Sequence, residues 1–139
     1  MRTSKIVLNG WCLFVAGLLA VRVSAETVLS GPESQTYKGI PYLSGGIGVD
    51  ERETLRQQAK DYNLMLGFAE KAGNYLSDVE VVIKNAKGDT VLEAVSQGPW
   101  FFTKLPAGTY TVIATMTGKT QRHVVKVAAT GHAQLYFYW

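Results

Sequence analysis

Two histidines, His123 and His132, are the first residues to test for chemistry in this chain of 139 residues. A metal site needs several imidazole, thiolate or carboxylate groups at spacings that let them converge. No second histidine or cysteine stands at ligand spacing beside either one. His123 alternates with Val125 and Val127, which places it near a sheet end, partly buried, and His132 follows a turn in solvent. The acids are scattered. Asp50 and Glu51 open a helix, Asp78 and Asp89 stand at strand starts beside turns, and Glu80 and Glu93 take outward strand positions. General acid–base work needs two carboxylates meeting in a cleft with their affinities for protons pushed apart, and this spacing does not arrange that. Ser44, Ser77 and Ser96 lack the glycines of a nucleophile elbow. Gly45-Gly46-Ile47-Gly48 precedes a helix, as a phosphate loop would, but no Lys-Ser/Thr follows and the helix opens on Asp50, Glu51 and Glu53, which repel an anion. The expectation is no catalytic residue, no metal ligand and no cofactor.

The elements that would carry any site begin with an export signal. Arg2 and Lys5 precede an apolar run from Ile6 to Val21, and Val23-Ser24-Ala25 offers small residues to a signal peptidase. Cleavage is expected after Ala25. The run is short for a spanning helix of ~20 apolar residues, the competing reading. Cys12, the one cysteine, lies in the leader, so the mature chain has neither disulfide nor thiol nucleophile. The whole chain carries 14 bases and 11 acids, a formal charge of +3. Arg2, Lys5 and Arg22 leave with the leader, so 11 bases then face 11 acids. That balance does not point to nucleic acid or to an anionic membrane. The mature chain is long enough for one domain with its own core.

Residues 26–48, with Gly31-Pro32, Gly39, Pro41 and Gly45-Gly46, read as an irregular arm. The domain proper is expected over 49–139. Its helix runs from Asp50 to about Lys60, with Asp50 as cap and Glu53 closing a capping box. Leu55 and Ala59 form a narrow apolar stripe, which suits a helix lying on a surface. Thereafter the period is two. Strands are expected over 62–69, 79–84, 90–95, 100–103, 110–117, 120–128 and 132–138, with Gly118-Lys119 as a two-residue type II′ loop. The expected core is Leu64, Leu66, Val81, Ile83, Phe102, Leu105, Tyr110, Val112, Val125, Leu135 and Phe137. The fold class is mainly β, a seven-stranded sandwich with one short N-terminal helix. The aromatic end Leu135–Trp139 fits its last strand, since the chain is short for a membrane barrel with its loops.

Leu105-Pro106-Ala107-Gly108-Thr109-Tyr110-Thr111-Val112, with Phe102 three residues ahead, resembles the carboxypeptidase regulatory-like family. So does the lead-in Asn85-Ala86-Lys87-Gly88-Asp89-Thr90-Val91, and the likeness runs from about Leu64 to Tyr138. Similar small exported bacterial proteins also carry the glycine-rich entry and helix seen at Gly45 to Arg52. The resemblance implies an Ig-like, transthyretin-like (prealbumin-like) sandwich used as an accessory or binding module without catalytic residues. Local physics agrees. Pro106 fixes φ in the turn, Gly108 is free to take a positive φ after it, and Tyr110, Val112, Ala114 and Met116 share the inward face.

The expected function is therefore a non-catalytic exported module of the periplasm or cell envelope. The alternative is a small transthyretin-like hydrolase or metal-binding protein with a site in strand-end loops. A Gly118-Lys119 loop would pair Ile113 with Val124, and a further hairpin would set Tyr136 beside Val124 and Tyr138 beside Arg122. Ile113, Val124, Tyr136 and Tyr138 would then form one apolar row on a face that should be polar. Either the 50–60 helix covers it through Leu55 and Ala59, or it meets a protein or glycan partner.

Overall fold

The computed structural model describes residues 32–139. The expected leader, its cleavage site, Cys12 and the first residues of the arm lie outside the described residues. Within them are nine strands and one α-helix: β1 Gln35–Tyr37, β2 Ile40–Gly45, α1 Val49–Gln58, β3 Leu64–Ala69, β4 Val79–Lys84, β5 Thr90–Ser96, β6 Trp100–Thr103, β7 Gly108–Met116, β8 Lys119–Val127 and β9 Ala133–Tyr138. A 3-10 turn over Ala59–Asp61 ends the helix. No helix among the described residues is long and apolar enough to cross a membrane.

The strands form two sheets. One has the order β1-β2-β6-β3-β9 and the other β5-β4-β7-β8. Alternation turns Leu64, Leu66, Phe68, Phe101 and Phe137 of the first sheet toward Val79, Val81, Ile83, Leu92, Tyr110, Val112 and Ala114 of the second, and this is the main core. Val125 and Leu135, expected to be core, pack against it half-buried. Phe102 is buried on the opposite side of its sheet, in a second cluster with Leu43 and Leu55. The Trp100-Phe101-Phe102 run therefore has apolar partners on both faces, which alternation alone does not reveal.

The arm is not irregular over its described part. Lys38 (φ 47°) and Gly39 (φ 86°) make a two-residue turn between β1 and β2, and β2 pairs with β6 through Tyr42↔Thr103 to Gly45↔Trp100. Glycine and proline read as loop signals, yet Gly39 is the hairpin turn itself. Tyr42 stacks on Phe101, ring centres 5.5 Å apart, and the burial of Leu43 fixes the strand.

The helix start also differs from the capping box. Gly48 is the cap, and no side chain there bonds to the helix. Asp50 lies inside the first turn. Glu51 turns back instead, accepting from the Gly46 and Ile47 N–H groups at 2.6 and 3.1 Å. Arg52 donates to the Gly46 carbonyl oxygen at 3.0 Å. One acid, Glu51, thus occupies the N–H groups of the glycine loop that a phosphate would need.

At the β7–β8 turn the central residues are Thr117 (φ 48°) and Gly118 (φ 76°), both left-handed, as a type I′ turn requires. Met116 pairs with Lys119 and Ile113 with Arg122, so the expected loop sits one residue too late. Gly118 satisfies either turn, and only the neighbouring strands decide between them. The facing survives: Tyr110, Val112 and Ala114 are buried. Gly108 avoids positive φ and opens β7 opposite Val127, contrary to the turn role expected of it. The turn is closed by Tyr110, whose hydroxyl donates to the Pro106 carbonyl oxygen at 2.6 Å. Burial raises that phenol above its ordinary 10.0.

The last strand changes sheets. β9 runs parallel to β3, from Leu64↔Ala133 to Ala69↔Tyr138. It is no hairpin partner of β8, although Trp139 Nε1 donates to the Lys119 carbonyl oxygen at 3.1 Å across the corner. Asn63 holds the crossing. Its buried amide donates to the Leu105 and Ala128 carbonyl oxygens at 2.8 and 3.0 Å and accepts from the Leu105 N–H at 2.9 Å.

Candidate functional site

The outer face of the five-stranded sheet is built from cross-strand rows. One row is Gly45, Trp100, Gly67 and Tyr136, and the next is Leu43, Phe102, Met65 and Gln134. α1 lies over the Leu43–Phe102 end through Leu55, which is fully buried there. Between the helix and β9 the face stays open as a groove of about 380 Å³, within the usual size range of ligand clefts. Its floor is Met65, Trp100 and Phe102; Arg56, Ala59, Lys60 and Tyr62 form one wall and His132, Gln134 and Tyr136 the other.

Glycine at 67 makes the far wall. A Cβ there would stand 2.6 Å from Cδ1 and 2.8 Å from Cε1 of Tyr136, so one edge of the tyrosine ring fills the space that a side chain at 67 would take. Tyr136 remains 46% exposed and Tyr138 52%, with rings 6.5 Å apart and 23° from parallel. The two phenols form an aromatic strip running from the groove along β9. At the helix wall the Arg56 guanidinium lies over the Trp100 ring, 5.3 Å from its centre, and donates to Glu53 at 3.1 Å. Tyr136 donates its hydroxyl to Gln134 Oε1 at 3.3 Å. Arg56, Lys60 and His132 are the ionisable nitrogen groups of the lining, and no carboxylate lines it. A second hollow continues past Lys60 and His132 to Lys104 and Asp61.

The expected apolar row is not one surface. Tyr136 and Tyr138 lie on the five-stranded sheet beside Gly67 and Ala69, whereas Ile113 and Val124 lie on the four-stranded one. Val124 faces Thr111 across the hairpin and is 66% exposed; Ile113, half-buried, lies between Val82 and Arg122. The row would need β9 to follow β8 as a hairpin, and the chain instead crosses over to pair β9 with β3. The helix does cover a sheet face, as one reading had it, but Leu55 meets Leu43 and Phe102 and not Val124. Alternation along Trp100–Thr103 could have exposed the groove, because it sets Trp100 and Phe102 opposite Phe101. Gly67 gives no warning of its role without the parallel register of β9.

The other candidates have structural work. Ser44 Oγ accepts from the Gln97 N–H at 2.9 Å, and Ser96 donates to the Gly98 carbonyl oxygen at 2.7 Å. His123 meets Phe137 edge-on, ring centres 4.8 Å apart, and is exposed. His132 is exposed at the groove wall. Among the described residues no three histidines, cysteines or acids gather as a metal site would require.

No curated protein matches the chain. A family model does match, over residues 64–136, which spans β3 to the Tyr136 position of β9 and so includes the groove's floor and far wall but not its helix. On that match, over more than half its length, the chain belongs to the family of the Rhizobiales growth-associated tandem repeat domain.

Proposed function

We propose that this chain is a non-catalytic binding module that acts outside the cytoplasm, in the periplasm or cell envelope, and that it recognises a protein or glycan partner through the groove between α1 and β9. The observation that carries this reading is the placement of aromatic groups. Trp100, Phe102 and Tyr136 line an open cleft, and Tyr138 extends the strip into solvent. A contiguous apolar surface with a few aimed polar groups is what recognition requires and what stability alone does not. The basic, apolar and small-residue pattern of residues 1–25 supports the location. We read the finer fold as a transthyretin-like sandwich to which β1, β2 and α1 are added, on the strength of the Leu105–Val112 resemblance. The alternative is a small hydrolase or metal-binding protein with a site in strand-end loops. The test compares material recovered from envelope extract by the mature wild-type domain and by Tyr136→Ser. The expected result is loss of the recovered species with an unchanged far-UV spectrum. Equal recovery by both proteins overturns the groove as the binding surface.

A further inference from the structure

We propose that the groove takes an anionic glycan, one whose sugar rings carry carboxylate or comparable acid groups; this rests on the binding-module reading above. The first argument is charge. The lining offers Arg56, Lys60 and the imidazole of His132 and no acid, and the adjoining hollow adds one base, Lys104, and one acid, Asp61. Glu53 occupies one Arg56 nitrogen from outside, which leaves other N–H donors of the fork free. The chain after Ala25 has as many acids as bases, so this local excess of cations does not follow from net charge. An occupant must bring acceptors and negative charge.

The second argument is shape. The rings of Tyr136 and Tyr138, 6.5 Å apart and 23° from parallel, lie along one side, the first packed against Gly67, and Trp100 shares its cross-strand row. An aromatic face is the negative part of the ring quadrupole and attracts the C–H-rich face of a sugar ring. A strip of such faces suits a chain of rings better than a point anion.

The third argument concerns the backbone. The groove floor lies over β6 and β3, each paired on both sides, while its far wall is β9, the edge strand of the sheet. An extended peptide would bind by main-chain ladder bonds at a sheet edge, which the floor does not offer. Recognition on the floor therefore comes from side-chain donors and rings, and a hexaglutamate probe tests for a peptide at the β9 edge.

The test is titration calorimetry of the mature domain with three probes of equal length: a hexauronate, a neutral hexasaccharide and hexaglutamate. The expected result is measurable binding of the hexauronate only, weakened at least fivefold by Lys60→Gln and again by raising the salt from 0.05 to about 0.5 M, where the Debye length falls well under 10 Å. Lys60 is exposed, so its substitution leaves the fold intact, and the thermal midpoint verifies this. Equal binding of the neutral sugar overturns the charge argument, and equal binding of hexaglutamate overturns the sugar argument. If none of the three binds while Tyr136→Ser still loses the envelope partner, the glycan proposal fails and the binding-module reading stands. If Tyr136→Ser loses nothing and no probe binds, both fail.

Discussion

Gly67→Ala should separate binding from folding in this domain. Position 67 has an ordinary strand backbone, so alanine meets no conformational barrier and would gain about 0.4–1 kcal/mol through the stiffer unfolded chain. Its Cβ, however, would stand 2.6 Å from Cδ1 of Tyr136. Carbon contacts settle at about 3.5–4.0 Å, so the ring must retreat by roughly 1 Å. It can do so, because Tyr136 is 46% exposed and its far side is open. The covered half of a tyrosine amounts to about 100 Å², or about 2.5 kcal/mol if wholly lost. A 1 Å lift sacrifices only part of that, and the alanine gain offsets some of it. The net change should stay within about 1 kcal/mol, a shift of less than about 8 °C in the thermal midpoint. Binding should instead fall as far as it does in Tyr136→Ser, since the platform has left its seat. The double variant completes the cycle: with the ring gone, Gly67→Ala should become stabilising by about 0.4–1 kcal/mol and cost no further affinity. Thermal unfolding and hexauronate titration of the four proteins measure both terms. Wild-type affinity in Gly67→Ala, or a stability loss beyond about 3 kcal/mol as for a truncated core aromatic, would refute the reasoning.

Three further outcomes are expected. Asn63→Ala should destabilise by about 3 kcal/mol or more in denaturant unfolding, because it strands the buried Leu105 N–H and removes the donors to the Leu105 and Ala128 carbonyls. Tyr110→Phe should cost about 1 kcal/mol near neutral pH by losing the bond to Pro106, and should flatten the alkaline limb of a pH–stability profile. The phenol is raised in the fold, so its contribution is full below pH 10.0 and is lost as pH climbs through the folded value, the unfolded chain ionising first. Intact-mass measurement of the exported protein should give an N-terminus at Glu26; retention of residues 1–25 would make that segment an anchor.

What the residues disclosed and what they concealed follow from one distinction. Strand existence and facing depend on local alternation, and Leu64–Ala69, Val79–Lys84 and Gly108–Met116 are legible for that reason. Pairing depends on which edges are free, and that is a property of the whole fold. β1 and β2 are hidden by their glycines and Pro41 because they are short and owe their order to β6 and to Leu43 beneath the helix. The β7–β8 turn is hidden because Gly118 serves two loop types whose registers differ by one turn position. The groove is hidden most deeply. Its wall exists because β9 leaves β8 and lies parallel to β3, bringing Tyr136 onto Gly67, two residues that share no pattern in the chain. Parallel pairing needs a crossover, and here the buried amide of Asn63 fastens it, joining the Leu105 turn and the Ala128 carbonyl to the start of β3. One polar side chain, ordinary in sequence, thus fixes the path that makes the surface. The aromatic strip is a consequence of topology, and a variant that disturbs Asn63 should disturb Tyr136 with it.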